Sequence, residues 1–577
     1  MMAEPDGPLD VAVRRLMRRT QVASAGGGTG TSEELERAHF RQLDISNTSG
    51  DTLVTVRFPP GQYFDCDGFQ WETKEFLVNS EQLLATGSAV FSHLLSRGAR
   101  ALARRQLDRH ARSLPESVKF AIDLSPQTEG EDSAFLVTQM SLSQNVSDWW
   151  RYGPLMAKPA SRRVSGHDDH CPNHFNTDTS DHDLVQHKTP WSNDSDLRTI
   201  DDVPYPNFRV IADYCPIRHR VAILRLLEAI TSKRLLLNSA PRVVTMTAMA
   251  KALDCTNIVK DPVMMWLMAD PGLDFVGVNP EDALKISWTL QLGPIARTAF
   301  IILVVEKAFE TVGSSSGRDA DKPKNRLAKR TLFGRARAPV TEEQDTCIQH
   351  AAQVLLQRTE DLWLRLNGPD VHQLLAITEW PAEYPDFCDG LTNCIHVAVA
   401  RATEAGNGYV YLSHEIDEDR ARYVPEADRP PTMEIYRGLL PQQALLTPIF
   451  WDNLAKITNN HHGFFDPIYE SHLGEQDRYR VLDDYGSSSV IEFGVDRFFS
   501  QLANAFRKLY LTWRDAQPEI PYILRRGPLI FGRSEELVKF LPLWAGGLDD
   551  GTGGVYQSDI PDAVSGAPYR CWCRCRR

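Results

Sequence analysis

The stretch Phe76-Leu77-Val78-Asn79-Ser80-Glu81-Gln82-Leu83-Leu84-Ala85-Thr86-Gly87-Ser88-Ala89-Val90-Phe91-Ser92-His93-Leu94-Leu95 changes its hydrophobic period halfway along. Phe76 and Val78 alternate with Leu77, which suits a strand, whereas Leu84, Ser88, Phe91 and Leu95 recur at spacings of four, three and four, which suit a helix. The reading is therefore a short strand at 76–78 followed by a helix over Glu81–Ser96, with one apolar or small face turned inward. Working outward from it, Leu53, Val54, Val56 and Phe58 read as an earlier strand, ended by Pro59-Pro60-Gly61. Val118–Leu124 and Phe135–Met140 read as two later strands around the acidic turn Glu129-Gly130-Glu131-Asp132, after which comes the pair Trp149-Trp150.

Ile217, Val221, Leu224 and Leu227 share a helical face, as do Met246, Met249, Ala250 and Leu253. Asp261-Pro262 and Asn279-Pro280 each set a capping residue before a proline suited to the first helical turn, and a further helix is expected over Ile295–Glu310. Beyond a polar stretch, Thr341 and Gln344 form a capping-box pattern ahead of Ile348, Ala351, Leu355 and Leu362, and residues 387–412, 443–457 and 494–513 keep helical periodicity. No internal repeat of fixed period is present, which argues against a solenoid or propeller.

The quoted segment resembles the signature of BTB/POZ domains, in which a strand ending in a phrase of the type F-x-V-H-S leads into a helix carrying L-x-x-x-S-x-x-F-x-x-x-L. This chain supplies Phe76, Val78, Ser80, Leu84, Ser88, Phe91 and Leu95, with Asn79 where the family usually has histidine. Tyr214–Thr231, ending in Ala229-Ile230-Thr231, is similar to a later helix of that family, and Val244–Cys255, with Met249-Ala250-Lys251-Ala252-Leu253-Asp254-Cys255, is similar to its L-A-x-K-Y helix. Together with Val118–Pro126 these stretches resemble large BTB-like proteins of filamentous fungi over roughly 51–310. The resemblance implies a protein-binding module, a homodimerising scaffold or an adaptor for cullin-type ubiquitin ligases. Phe76, Val78, Asn79, Leu84, Ser88, Phe91 and Leu95 would form its core and interface, and 261–310 is similar to a BACK-type extension.

The expected organisation is α+β. It comprises a disordered tail (1–48), a BTB-like domain (49–260) with a disordered polar insertion at about 155–206, and a helical extension (261–312). A basic flexible linker (313–340), a separate, mostly helical C-terminal domain (341–545) and a second disordered tail (546–577) follow. The tails and insertion follow from composition: Ala25-Gly26-Gly27-Gly28-Thr29-Gly30-Thr31 and the Asp- and His-rich, aliphatic-poor 161–206 bury too little apolar surface to offset ordering entropy.

A net charge of −13 repels polyanions, so nucleic acid is not an expected partner. Arg14, Arg15, Arg18 and Arg19 precede no apolar run of the kind a signal peptide needs, and Ala299–Val305 falls far short of the ~20 residues that span a bilayer. Neither a membrane nor export is expected; the ten cysteines suit a reduced intracellular chain in cytoplasm or nucleus, and the N-x-Ser sites at Asn47, Asn145 and Asn193 carry no weight there.

No enzyme site, cofactor or metal is expected. His167-Asp168-Asp169-His170-Cys171-Pro172-Asn173-His174, with His182 and His187, has ligand residue types but lies in the polar insertion without the rigid turns of a structural zinc site. Gly313-Ser314-Ser315-Ser316-Gly317 satisfies G-x-S-x-G, yet a nucleophile elbow needs a strand before it and a helix is expected there. His461, His462 and Asp466 define an alternative in which the C-terminal half is an enzyme, and Cys388 and Cys394 lack a second pair. The basic residues Lys322, Lys324, Arg326, Lys329, Arg330, Arg335 and Arg337 read as a solvated linker, or as a nuclear-import signal of a transcription or chromatin regulator. The terminal Cys571-Trp572-Cys573-Arg574-Cys575 matches no lipidation box.

Overall fold

The computed structural model describes residues 39–58, 70–96, 118–125, 143, 145–146, 216–232, 235–269, 272–315, 331–333, 335, 337–378, 380, 385–403, 436, 439–458, 464, 495–514, 529–532 and 535–548. The expected strand 135–140, Trp149-Trp150, the insertion with its His/Asp/Cys cluster, His461, His462, Asp466, both expected tails apart from residues 39–48 of the first and 546–548 of the second, and most of the basic stretch lie outside them.

Three strands, β1 (Thr52–Val56), β2 (Lys74–Val78) and β3 (Phe120–Asp123), form a sheet ordered β2-β1-β3. β1 runs antiparallel to β2 with Val54 opposite Phe76, and parallel to β3 with Val54 opposite Ile122. Strand alternation accounts for the inner face, because Val54, Val56, Phe76, Val78 and Ile122 are all buried. One carboxylate ties the start of β1 to the end of β2 and the start of β3: Asp51 accepts from the Ser80 N–H at 2.7 Å and hydroxyl at 2.9 Å, and from Lys119 Nζ at 3.2 Å. Burial opposes ionisation of Asp51, but these donors prevail and hold its carboxyl below the usual value. The stability this adds is present above the unfolded-state pKa and is lost as pH falls through the lower folded-state value. Asp51→Asn is accordingly expected to flatten the acid limb of the stability–pH curve, measured as urea midpoints between neutral and acid pH.

The helix expected over Glu81–Ser96 is two helices, α1 (Ser80–Leu84) and α2 (Ala89–Leu94). The chain reverses between them at Gly87, whose φ of +75° is left-handed. There is open space around a Cβ at this position, so only backbone strain opposes Gly87→Ala. A loss of about 1–2 kcal/mol is expected in chemical denaturation.

Five helices follow the sheet: α3 (Pro216–Ser232), α4 (Ala240–Ala252), α5 (Thr256–Met268), α6 (Gly272–Val278) and α7 (Pro280–Leu290). Asn279 caps α7 by position with Pro280 in its first turn, as expected, although the Asn279 side chain makes no capping hydrogen bond. Asp261-Pro262 departs from expectation, for α5 begins six residues earlier and carries Pro262 inside it. An interior proline costs roughly 3 kcal/mol. Burial of Val259, Val263, Trp266 and Leu267 along one side of the same helix offsets that, at about 1.5–3 kcal/mol for each large side chain.

α8 (Gly293–Ser315) is the centre of the helical part, with Ala299, Phe300, Ile302, Val304 and Ala308 fully buried. A helix apolar all round must be covered on every side. α7 packs on one side and α9 (Glu342–Leu366) on another. The capping box of α9 is present as read, Gln344 N–H donating to Thr341 Oγ1 at 3.3 Å and Thr341 N–H to Gln344 Oε1 at 3.1 Å. α10 (Val371–Leu374), α11 (Pro385–Thr403), α12 (Pro441–Leu445), α13 (Pro448–Thr458), α14 (Val495–Arg514) and α15 (Glu535–Val538) complete the described helices, with a single 3₁₀ turn at Leu543–Ala545.

The expected separation of 341–545 from the preceding helices is not found. Gln443 Nε2 donates to the Phe309 carbonyl at 2.8 Å, Arg297 Nη1 to the Ala545 carbonyl at 2.9 Å, and the Trp288 and Trp544 rings meet edge to face at 5.4 Å. One apolar cluster runs from Phe40 to Ala545. The reason is physical: α8 has more apolar surface than α3–α7 can cover, and α9, α12, α15 and the turn at Leu543–Ala545 also pack on it.

The basic stretch is also corrected at its C-terminal end. Arg335 is 2% exposed and grips two glutamates in the core: Glu281 at the start of α7 (2.7 and 2.9 Å) and Glu306 on α8 (3.0 and 2.5 Å). Phe333 packs between Phe309 and Tyr436, and Arg337 pairs with Glu310. Phe333, Arg335 and Arg337 are thus anchored, and two of the seven basic residues proposed for a linker or import signal hold the fold together. No described helix is long and apolar enough to cross a membrane.

Candidate interaction surface

The residues quoted for the family resemblance divide into a core and an edge. Phe76, Val78, Ser88, Phe91 and Leu95 are buried. Asn79 is half-buried and caps α1, its Oδ1 accepting from the Glu81 N–H at 2.9 Å. Leu84, expected on the core face, is instead 43% exposed, and its neighbour Leu83 is fully buried. A spacing of four between Leu84 and Ser88 places both on one face only if the helix is continuous, and the reversal at Gly87 breaks that register.

Ser88 is the joint between the sheet region and the helical block. Its hydroxyl accepts from the Phe91 N–H at 3.0 Å, capping α2, and donates to the Leu253 carbonyl at 2.6 Å. Asp254, at φ +49°, turns its carboxylate to the first turn of α2 and accepts from the Ala89 N–H at 2.8 Å. Asn257 Nδ2 donates to the Thr86 carbonyl at 3.0 Å. Three hydrogen bonds across more than 160 residues therefore fix the α1–α2 turn against the α4–α5 junction. Ser88→Ala removes both the cap and the partner of a buried carbonyl, and a loss of about 1–3 kcal/mol is expected in urea midpoints.

Near that joint, Leu84 is exposed at the end of α1, and α5 carries an exposed row of its own. Asn257, Asp261, Met265 and Met268 follow one another at spacings of four, four and three and are all exposed, Met265 at 49% and Met268 at 53%. From Asn257 to Met268 the row is about 17 Å long at the helical rise. Met265 and Met268 thus form the apolar end of an exposed ridge on α5 beyond Asp261, and Leu84 is a further exposed apolar residue on α1. Flexible thioethers suit contact with another protein surface, because methionine adapts its shape to a partner.

Convergent chemistry is not what the ridge offers. Cys255, beneath it, is free and buried, and burial pushes its thiol up to about 12, where it is no nucleophile. Among the described residues no group of three His, Cys, Asp or Glu could hold a metal. Gly313, Ser314 and Ser315 form the end of α8, so a helix precedes the G-x-S-x-G sequence where an elbow needs a strand. Cys388 and Cys394 both lie on α11, and neither forms a disulfide.

A helix start at Pro262 leaves Asn257 and Asp261 outside the helix, so the row that ends in Met265 and Met268 is not apparent from it. The signal that reveals them is the polar–polar–Met–Met row, visible once the helix starts at Thr256. Comparison of the chain with protein-family models, with curated proteins and with solved structures finds no match.

Proposed function

We propose that the chain is a non-enzymatic protein-interaction module of BTB/POZ-like character, acting as a homodimerising scaffold or as a substrate adaptor for a cullin-type ubiquitin ligase within the cell. The observation that carries this reading is the exposure of the large apolar side chains Leu84 on α1 and Met265 and Met268 on α5, two helices whose ends the hydrogen bonds of Ser88, Asp254 and Asn257 join. A β2-β1-β3 sheet with two short helices between β2 and β3, and Phe76, Val78, Phe91 and Leu95 in one core, supports the family side of the reading. The nuclear-regulator alternative loses support because Arg335 and Arg337 are engaged in ion pairs.

The test is affinity capture of the tagged full-length chain with mass spectrometry, comparing wild type with Leu84→Asp and with Met265→Glu/Met268→Glu. These positions are exposed, so stability should change by no more than about 0.5 kcal/mol per site. Cullin-ligase subunits or a second copy recovered by wild type and lost in both variants is the expected outcome. Equal recovery in all three would remove the ridge from the account. Phe91→Asp is unsuitable here, because Phe91 is fully buried and its replacement reports folding.

A further inference from the structure

The start of α7 concentrates more negative charge than its surroundings neutralise. Glu281, Asp282 and Glu306 are all buried, and the one buried cation among them is Arg335. Arg335 is already committed, with two bonds to each glutamate. Among the described residues, what remains for Asp282 is the Ser143 hydroxyl at 2.8 Å and the partly exposed Lys285 ammonium at 4.0 Å. A third carboxylate ionised in this setting would lie one residue from Glu281 on the same helical turn, with only the long, partly exposed contact to Lys285 as its counter-charge.

We propose that Asp282 keeps its proton at neutral pH, and that its ionisation as pH rises loosens the anchoring of Phe333, Arg335 and Arg337. Neutral Asp282 leaves the guanidinium wholly to Glu281 and Glu306. Ionised Asp282 competes for the same guanidinium and repels Glu281, so the grip on Arg335 weakens. Phe333, seated against Phe309 and Tyr436, is the side chain such loosening would uncover. Burial is the main influence on Asp282 and pushes its carboxyl up, opposed by Lys285, Ser143 and Arg335; burial likewise pushes Glu281 up, against the pull of Arg335. For a raised acid, the folded state holds more protons than the unfolded one, so stability declines as pH climbs through the interval between the two pKa values. This device is independent of the interaction reading above.

The first measurement is the infrared carbonyl band of a protonated carboxylic acid in the full-length protein at pH 7. The band is expected in wild type, shifted in Ser143→Ala and absent in Asp282→Asn. The second is trypsin cleavage after Arg335 and Arg337 at pH 9, expected to be several-fold faster in wild type than in Asp282→Asn. Absence of the band in wild type overturns the proposal without any variant. Should Asp282→Asn fail to fold, a band unmoved in Ser143→Ala puts the proton elsewhere and overturns it equally. Equal cleavage of wild type and Asp282→Asn overturns the latch.

Discussion

Arg335→Ala is expected to destabilise the protein by about 3–5 kcal/mol, because it removes the only guanidinium between two buried carboxylates and leaves both charges uncompensated. The four N–H···O contacts from Arg335 to Glu281 and Glu306 join α7, α8 and the segment at 331–337. Arg335→Lys keeps the charge but cannot present the planar fork, so an intermediate loss is expected. Replacing Arg335, Glu281 and Glu306 together with apolar residues of similar volume should restore most of what Arg335→Ala loses, since a buried ion pair barely outweighs its own desolvation. Urea midpoints at unchanged slope decide the matter. A loss below about 1 kcal/mol for Arg335→Ala would mean that Arg335 is not an anchor.

Phe91→Ala should cost about 3–5 kcal/mol, the range for emptying a fully enclosed aromatic site. Phe91 lies within a turn of Ser88, in the same core as Phe76 and Val78. Its loss therefore weakens the packing that the Ser88 joint relies on. Ser88→Ala and Phe91→Ala are neighbours sharing one element, so their effects should combine non-additively. A double-mutant cycle measures the coupling, and strict additivity would show that the joint and the core act separately.

What the sequence disclosed depended on how local its cause was. The capping box at Thr341 and Gln344 is a contact across three residues, and it appears as read. Strand alternation at Val54, Val56, Phe76 and Val78 is likewise local, and all four are buried. The break between α1 and α2 was harder, because Leu84, Ser88, Phe91 and Leu95 mimic one helical face, while Ser88 as a capping residue and Gly87 before it point to a restart. Arg335 was illegible for a different reason. It sits in a run of basic residues that composition assigns to solvent, and its partners lie 29 and 54 residues away. The same holds for Ser88, whose acceptor at Leu253 is 165 residues on. The continuity of 341–545 with the earlier helices also rests on long-range packing around α8, which periodicity alone does not register.

The interaction surface is most directly tested by photo-crosslinking in cells, with a benzophenone side chain placed at position 84, at 268, and at exposed Leu364 on α9 as a control. The account predicts covalent protein adducts from 84 and 268, shared in identity, and none of that identity from 364. Adducts from 364 alone, or none from 84 and 268 while the protein is folded and abundant, would contradict it.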